Sequence, residues 1–164
     1  MSMVPRLAEV VKPIIRGLEF LSPLGLLGIR LWVANVFWKA GLTKIAISDE
    51  FPFIGLGPST LMLFQYEYKV PLLGYETAAY LGTATELTLP ILLAIGFGGR
   101  FAAISLFIFN VVAVISYPGL NEVGLQQHQL WGLMLALLVF YGPGKLSIDH
   151  ILRKKYMDVS GPLV

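Results

Sequence analysis

With 164 residues, 56% of them hydrophobic and only 13% charged, the chain is long enough for one domain and too poor in charge to cover a water-facing surface. A net charge of +2 and the lack of a basic, aromatic-interleaved tract exclude nucleic acid as a partner. The absence of cysteine excludes disulfides, thiol relays, iron–sulfur ligation and a thiolate nucleophile, so any redox role requires a bound cofactor, a diffusing carrier or another subunit.

In chain order, residues 3–21 form the first predicted element. Arg6, Glu9, Lys12, Arg16 and Glu19 recur every three or four residues, and Leu7, Val10, Val11, Ile14, Ile15 and Leu18 fill the opposite face. That pattern predicts an amphipathic helix lying on a membrane surface, kinked at Pro13. The same charges interrupt any apolar core of a secretory signal. Four runs long enough to cross a bilayer follow, at about 24–45, 74–97, 101–117 and 123–141. Pro118-Gly119 ends the third and Gly142-Pro143-Gly144 ends the fourth, whose first third, Gln126-Gln127-His128-Gln129, is polar. Between the first two spans, about 46–73, lies a segment too hydrophobic for an ordinary loop, with Phe51, Phe53, Leu61, Met62, Leu63 and Phe64. It predicts an ordered cap carrying a short interfacial helix near Thr60 to Tyr68. The fold class is therefore all-α, an integral membrane four-helix bundle with an N-terminal interfacial helix and a cap.

Lys and Arg set the orientation. With both termini in the cytoplasm, Arg6, Lys12, Arg16, Arg100, Lys145, Arg153, Lys154 and Lys155 face inward and only Lys44 and Lys69 face outward. This predicts a multi-pass membrane protein with both termini cytoplasmic, whose partners are the lipid bilayer and either other subunits or further copies of itself.

Arg30, Lys39 and Glu86 fall inside the spans, where a charge costs about 2.5–3.5 kcal/mol or more and calls for a partner. Counting about 1.5 Å per residue from the span boundaries brings Arg30 and Glu86 to similar depths on antiparallel helices, which predicts an Arg30–Glu86 ion pair. Such a pair serves either as a clasp that sets helix register or as a proton- or substrate-linked site. Lys39 shares a helix face with Asn35. It either snorkels to the surface or lines a candidate ligand cavity with Asn35, Thr83, Gln127, His128 and Trp131. His128 and His150 lie about 33 Å apart along the fourth span and its extension and cannot jointly hold a metal or haem. No metal site and no covalent cofactor are expected.

Four segments in order now resemble one family. Arg30 is followed by Phe37-Trp38-Lys39-Ala40-Gly41-Leu42-Thr43-Lys44, Glu86 sits inside the second span, Gly96-Phe97-Gly98-Gly99-Arg100 forms the next turn, and Gly142-Pro143-Gly144-Lys145-Leu146-Ser147-Ile148-Asp149 forms the exit. Together, over roughly Gly28 to Asp149, these are similar to the DoxX family. The resemblance implies a four-helix membrane protein with cytoplasmic termini. It implies function more broadly, because some relatives are membrane subunits of quinone-linked oxidoreductases, others belong to redox or stress-response assemblies, and distant ones act as chaperones or trafficking factors. Three readings follow: a membrane subunit of a quinone-linked oxidoreductase, a non-enzymatic membrane scaffold or assembly factor, and, ranked last, a small-solute transporter.

Overall fold

A computed structural model describes residues 3–47 and 54–157, with side chains described over 9–47 and 55–157. Arg6, Leu7, Phe51 and Phe53 therefore lie outside the described side chains. Six helices and one hairpin follow in the order α1 (Met3–Leu42), β1 (Ile45–Ile47), β2 (Ile54–Leu56), α2 (Pro58–Tyr66), α3 (Tyr75–Ile95), α4 (Gly99–Ser116), α5 (Glu122–Tyr141) and α6 (Ile148–Tyr156). Helices α1, α3, α4 and α5 are long and apolar enough to cross a membrane.

The four long helices form a ring in which α1 packs on α3 and α5, and α4 packs on the same two. Each contributes a stripe at helical spacing. Leu26, Val33, Ala34 and Phe37 of α1 meet Leu93 of α3, Ala102, Ala103 and Leu106 of α4, and Leu135 and Leu138 of α5. The small residues Ala102, Ala103 and Gly132 let the backbones approach, the usual basis of helix association where the solvent is itself apolar. Large apolar side chains face outward around the ring, among them Trp32, Tyr80, Ile108, Ile115, Leu133 and Phe140. That inversion of the soluble pattern makes the protein a multi-pass membrane bundle.

Two features depart from the sequence reading. The N-terminal segment is not a separate interfacial helix. It runs into the first span as one 40-residue helix through Pro13 and Pro23. Pro23 has no N–H for the Glu19 carbonyl, and the Ser22 hydroxyl donates to that carbonyl instead, at 3.0 Å, so the helix continues. Residues 9–21 are exposed along their whole length and pack on nothing else among the described residues.

The second departure is where α1 stops. A Cβ at Gly41 would lie 3.0 Å from Glu86 Cβ and 2.8 Å from Leu87 Cδ2, so the last turn of α1 meets the middle of α3, not its end. There the chain leaves the helix, makes the antiparallel hairpin that pairs Ile45 with Leu56, and returns. The base of this excursion closes on one carbonyl: Lys44 O accepts from Gly57 N at 3.0 Å and from Thr60 Oγ1 at 2.9 Å. Helix α2 then starts at Pro58 and packs on the remaining half of α3, with Phe64 against Gly82. The cap is thus a hairpin plus a packed helix. The first span is interrupted, with α1 and α2 sharing the length of α3.

Candidate functional site

The bundle holds two polar clusters, one at the end that carries α6 and one beside the middle of α3. At the end carrying the chain termini, Arg30 is buried at 1% exposure. Its Nη1 donates to Pro143 O and its Nη2 to Leu146 O at 2.6 Å. Asp149 holds the same loop to the α3–α4 turn, its carboxylate accepting from Gly98 N at 2.8 Å and Gly99 N at 2.7 Å, and its own N–H donates to Gly96 O at 2.9 Å. Gly96 caps α3 with φ +69°, and a Cβ there would lie 2.5 Å from Ser147 Cβ and 2.8 Å from Arg30 Nη1. Glycine is required by both the backbone angle and the approach of the loop. Ser147 caps α6 by accepting from His150 N at 3.2 Å. This cluster is a fastener. It ties α1, the α3–α4 turn and the final loop together, and it leaves Arg30 no route to Glu86.

Glu86 pairs with Lys44 instead. Lys44 Nζ donates to Glu86 Oε2 at 2.6 Å, with the two side chains 13% and 8% exposed. The predicted Arg30–Glu86 pair is therefore corrected. The depth estimate assumed that α1 and α3 begin and end together. Because α1 ends against Glu86, Arg30 sits eleven residues, about 16 Å, further along α1, beside Gly96. Lys44 then occupies a favourable electrostatic position. Its ammonium lies at the carbonyl end of α1, donating to Ala40 O at 3.2 Å as well as facing the carboxylate. Two of its three N–H groups are used among the described residues.

The pair borders a cleft between α2, α3 and α4, walled by Phe64, Tyr68, Leu81, Phe109 and Val112. Tyr68 stacks on Phe64 at 4.8 Å and on Tyr117 at 5.1 Å. Burial raises the Tyr68 phenol above the ordinary tyrosine range, with Glu86 adding to the effect. Ser116 also lines the cleft, and its buried hydroxyl has no hydrogen-bond partner among the described residues. The cleft is an apolar, aromatic slot with a charged pair and one spare hydroxyl.

The other expected cavity residues are not brought together. Asn35 lines a shallow groove with Trp38 and Pro90, and Lys39 is exposed. Thr83 is buried with its hydroxyl unpartnered, outside the cleft. Gln127 is exposed on α5. Trp131 packs edge-on to Phe37 and His128, and His128 contacts Asn110 in a separate groove between α4 and α5. Asn35 and Lys39 share a face of α1, as their spacing predicts, but neither lines the cleft beside Glu86. The residues that sequence reasoning missed are Tyr68, Ser116 and Lys44 as the partner of Glu86. Lys44 carries a signal, because it closes the Gly41-Leu42-Thr43-Lys44 segment, but a first span that runs to about 45 puts it at the outer boundary and not beside Glu86.

The fold and these two clusters define a multi-pass membrane protein with an interrupted first span and a buried Lys–Glu pair. The chain belongs to the DoxX family, whose profile matches residues 25–118. A protein of Haemophilus influenzae described as uncharacterized is 31% identical over 147 residues, covering 82% of this chain and 87% of its own length. No solved structure matches.

Proposed function

We propose that this DoxX-family protein is the membrane subunit of a quinone-linked redox assembly, and that the Lys44–Glu86 cleft holds the quinone headgroup. The observation that carries this reading is the combination of a buried Lys44–Glu86 ion pair and an aromatic, apolar slot. A quinone is a flat apolar ring with two carbonyl acceptors. Lys44 and the Ser116 hydroxyl are donors suited to those carbonyls, Phe64 and Tyr68 offer faces for the ring, and Leu81 and Val112 offer a path for an apolar tail. Glu86 positions Lys44 by accepting from its Nζ. In this reading the electron-carrying centre is held by a partner subunit, as the chain has no cysteine to ligate an iron–sulfur cluster of its own. The scaffold reading rests on the exposed apolar residues of α1, including Val10, Ile14 and Leu18; the open cleft favours the quinone reading over it. The excess of Lys and Arg at the end carrying both termini supports an inner-membrane location with cytoplasmic termini.

The test is a titration of a short-chain quinone into the protein in lipid nanodiscs, comparing wild type with Glu86→Gln, Lys44→Met and, as a control away from the cleft, Arg30→Gln. Saturable binding lost in the first two variants and retained in the third supports the reading. Equal non-saturable partitioning into all four samples overturns it and leaves the scaffold.

A further inference from the structure

On the opposite side of α4 from the quinone cleft, His128 and Asn110 form a second polar pair. Asn110 Nδ2 donates to the backbone carbonyl of His128 at 2.9 Å, and Asn110 Oδ1 lies 2.8 Å from His128 Nδ1. A carbonyl can only accept, so the amide cannot be flipped: that would set two acceptors against each other. Oδ1 must therefore face the ring, and Nδ1 must carry the proton. In the neutral imidazole this leaves Nε2 as a bare lone pair, with no partner among the described residues. The clamp is tightly seated. Asn110 is buried, and a Cβ at Gly132 would come within 3.3 Å of its Nδ2.

The surroundings select what such a lone pair would meet. His128 and Asn110 line a groove between α4 and α5, whose other walls include Phe107, Val111, Leu125, Gln129 and Leu133. His128 lies six residues into α5, and Asn110 six residues before the end of α4, each about 9 Å inside the cap end of the bundle. At that depth an acceptor without a donor is costly, and an apolar molecule that brings one is favoured. No cluster of three or more His, Cys, Asp or Glu side chains exists among the described residues, so the groove offers one nitrogen and no further metal donors of those types. We infer that the α4–α5 groove is a binding site for a hydrophobic molecule bearing a phenolic or alcoholic hydroxyl, which donates its hydrogen bond to His128 Nε2. This site is separate from the quinone cleft, and the inference stands or falls without that reading.

The experiment uses full-length protein in nanodiscs with His150→Gln, which leaves His128 as the sole histidine, labelled with nitrogen isotope for NMR. Without ligand, the ring should show the Nδ1–H tautomer, and Asn110→Leu should abolish that preference. Addition of p-octylphenol should shift the Nε2 resonance saturably, whereas p-octylanisole, its methyl ether without a donor, should not. A dodecanol arm separates the two sources of hydroxyl: a shift extends the class to alcohols, and its absence restricts the site to phenols. Asn110→Leu should weaken the phenol by roughly threefold to tenfold, the effect of losing one hydrogen bond that orients the acceptor. An Nε2–H tautomer in the free protein, equal shifts from phenol and anisole, or no shift from phenol and alcohol alike would overturn the inference.

Discussion

Removing Lys44 from beneath Glu86 is the perturbation that most directly probes this architecture. In Lys44→Met the methionine fills the space of the lysine stem, but the Glu86 carboxylate loses its single protein partner among the described residues, the ammonium at 2.6 Å. Breaking a buried pair from one side costs about 3–5 kcal/mol. The two side chains retain 13% and 8% exposure at the cleft, so the lower part of that range, about 3 kcal/mol, is expected. Glu86→Gln should cost less, about 1–2 kcal/mol, because the amide can still accept from Lys44 and Ala40 O continues to hold the ammonium. The double variant carries no buried charge and should recover most of the loss, so the cycle should show a coupling of about 2–3 kcal/mol. The companion cycle between Arg30 and Glu86, groups about 16 Å apart along the helices, should be additive within about 0.5 kcal/mol. Reversible unfolding in mixed micelles measures all of these. Additive behaviour of Lys44 and Glu86, or strong coupling of Arg30 to Glu86, would refute the placement of α1 against the middle of α3.

Three further outcomes test the opposite end and the cap. Gly96→Ala introduces a Cβ at φ +69° within 2.5 Å of Ser147 Cβ, and should destabilise by about 2–4 kcal/mol, read as a lower melting temperature in micelles. Asp149→Ala leaves the Gly98 and Gly99 N–H groups without their acceptor; a loss of about 1–3 kcal/mol should appear as faster hydrogen exchange across α6 while α3–α5 keep their protection. The Tyr117 phenol donates to Glu67 at 3.0 Å, and that bond raises its pKa above the ordinary value of 10.0. A raised folded-state value means the contribution is fully present below pH 10 and lost as pH rises through the folded value, so tyrosinate absorbance should develop at lower pH in Glu67→Gln than in wild type.

The class of protein was legible in residues alone. Apolar runs of spanning length, the deficit of charge and the Lys/Arg asymmetry are properties of the one-dimensional chain, because the bilayer acts on each segment separately. The demand that Arg30 and Glu86 be internally satisfied was legible for the same reason, since desolvation is a cost borne by each group wherever its partner lies. The continuity of α1 through Pro23 was not, because it depends on the Ser22 hydroxyl taking the orphaned Glu19 carbonyl. Nor was the identity of either partner. Hydropathy carries no signal for a helix that stops halfway along its neighbour, since it gives the length of an apolar run and not the depth at which the run meets another helix. Which cation meets Glu86 depends on the relative depth of α1 and α3, and that depth is set by contacts such as Gly41 on Leu87 and Arg30 on Gly96. The sequence determined that two buried charges had to be satisfied. Only the tertiary packing decided that one would be answered by loop carbonyls and the other by Lys44.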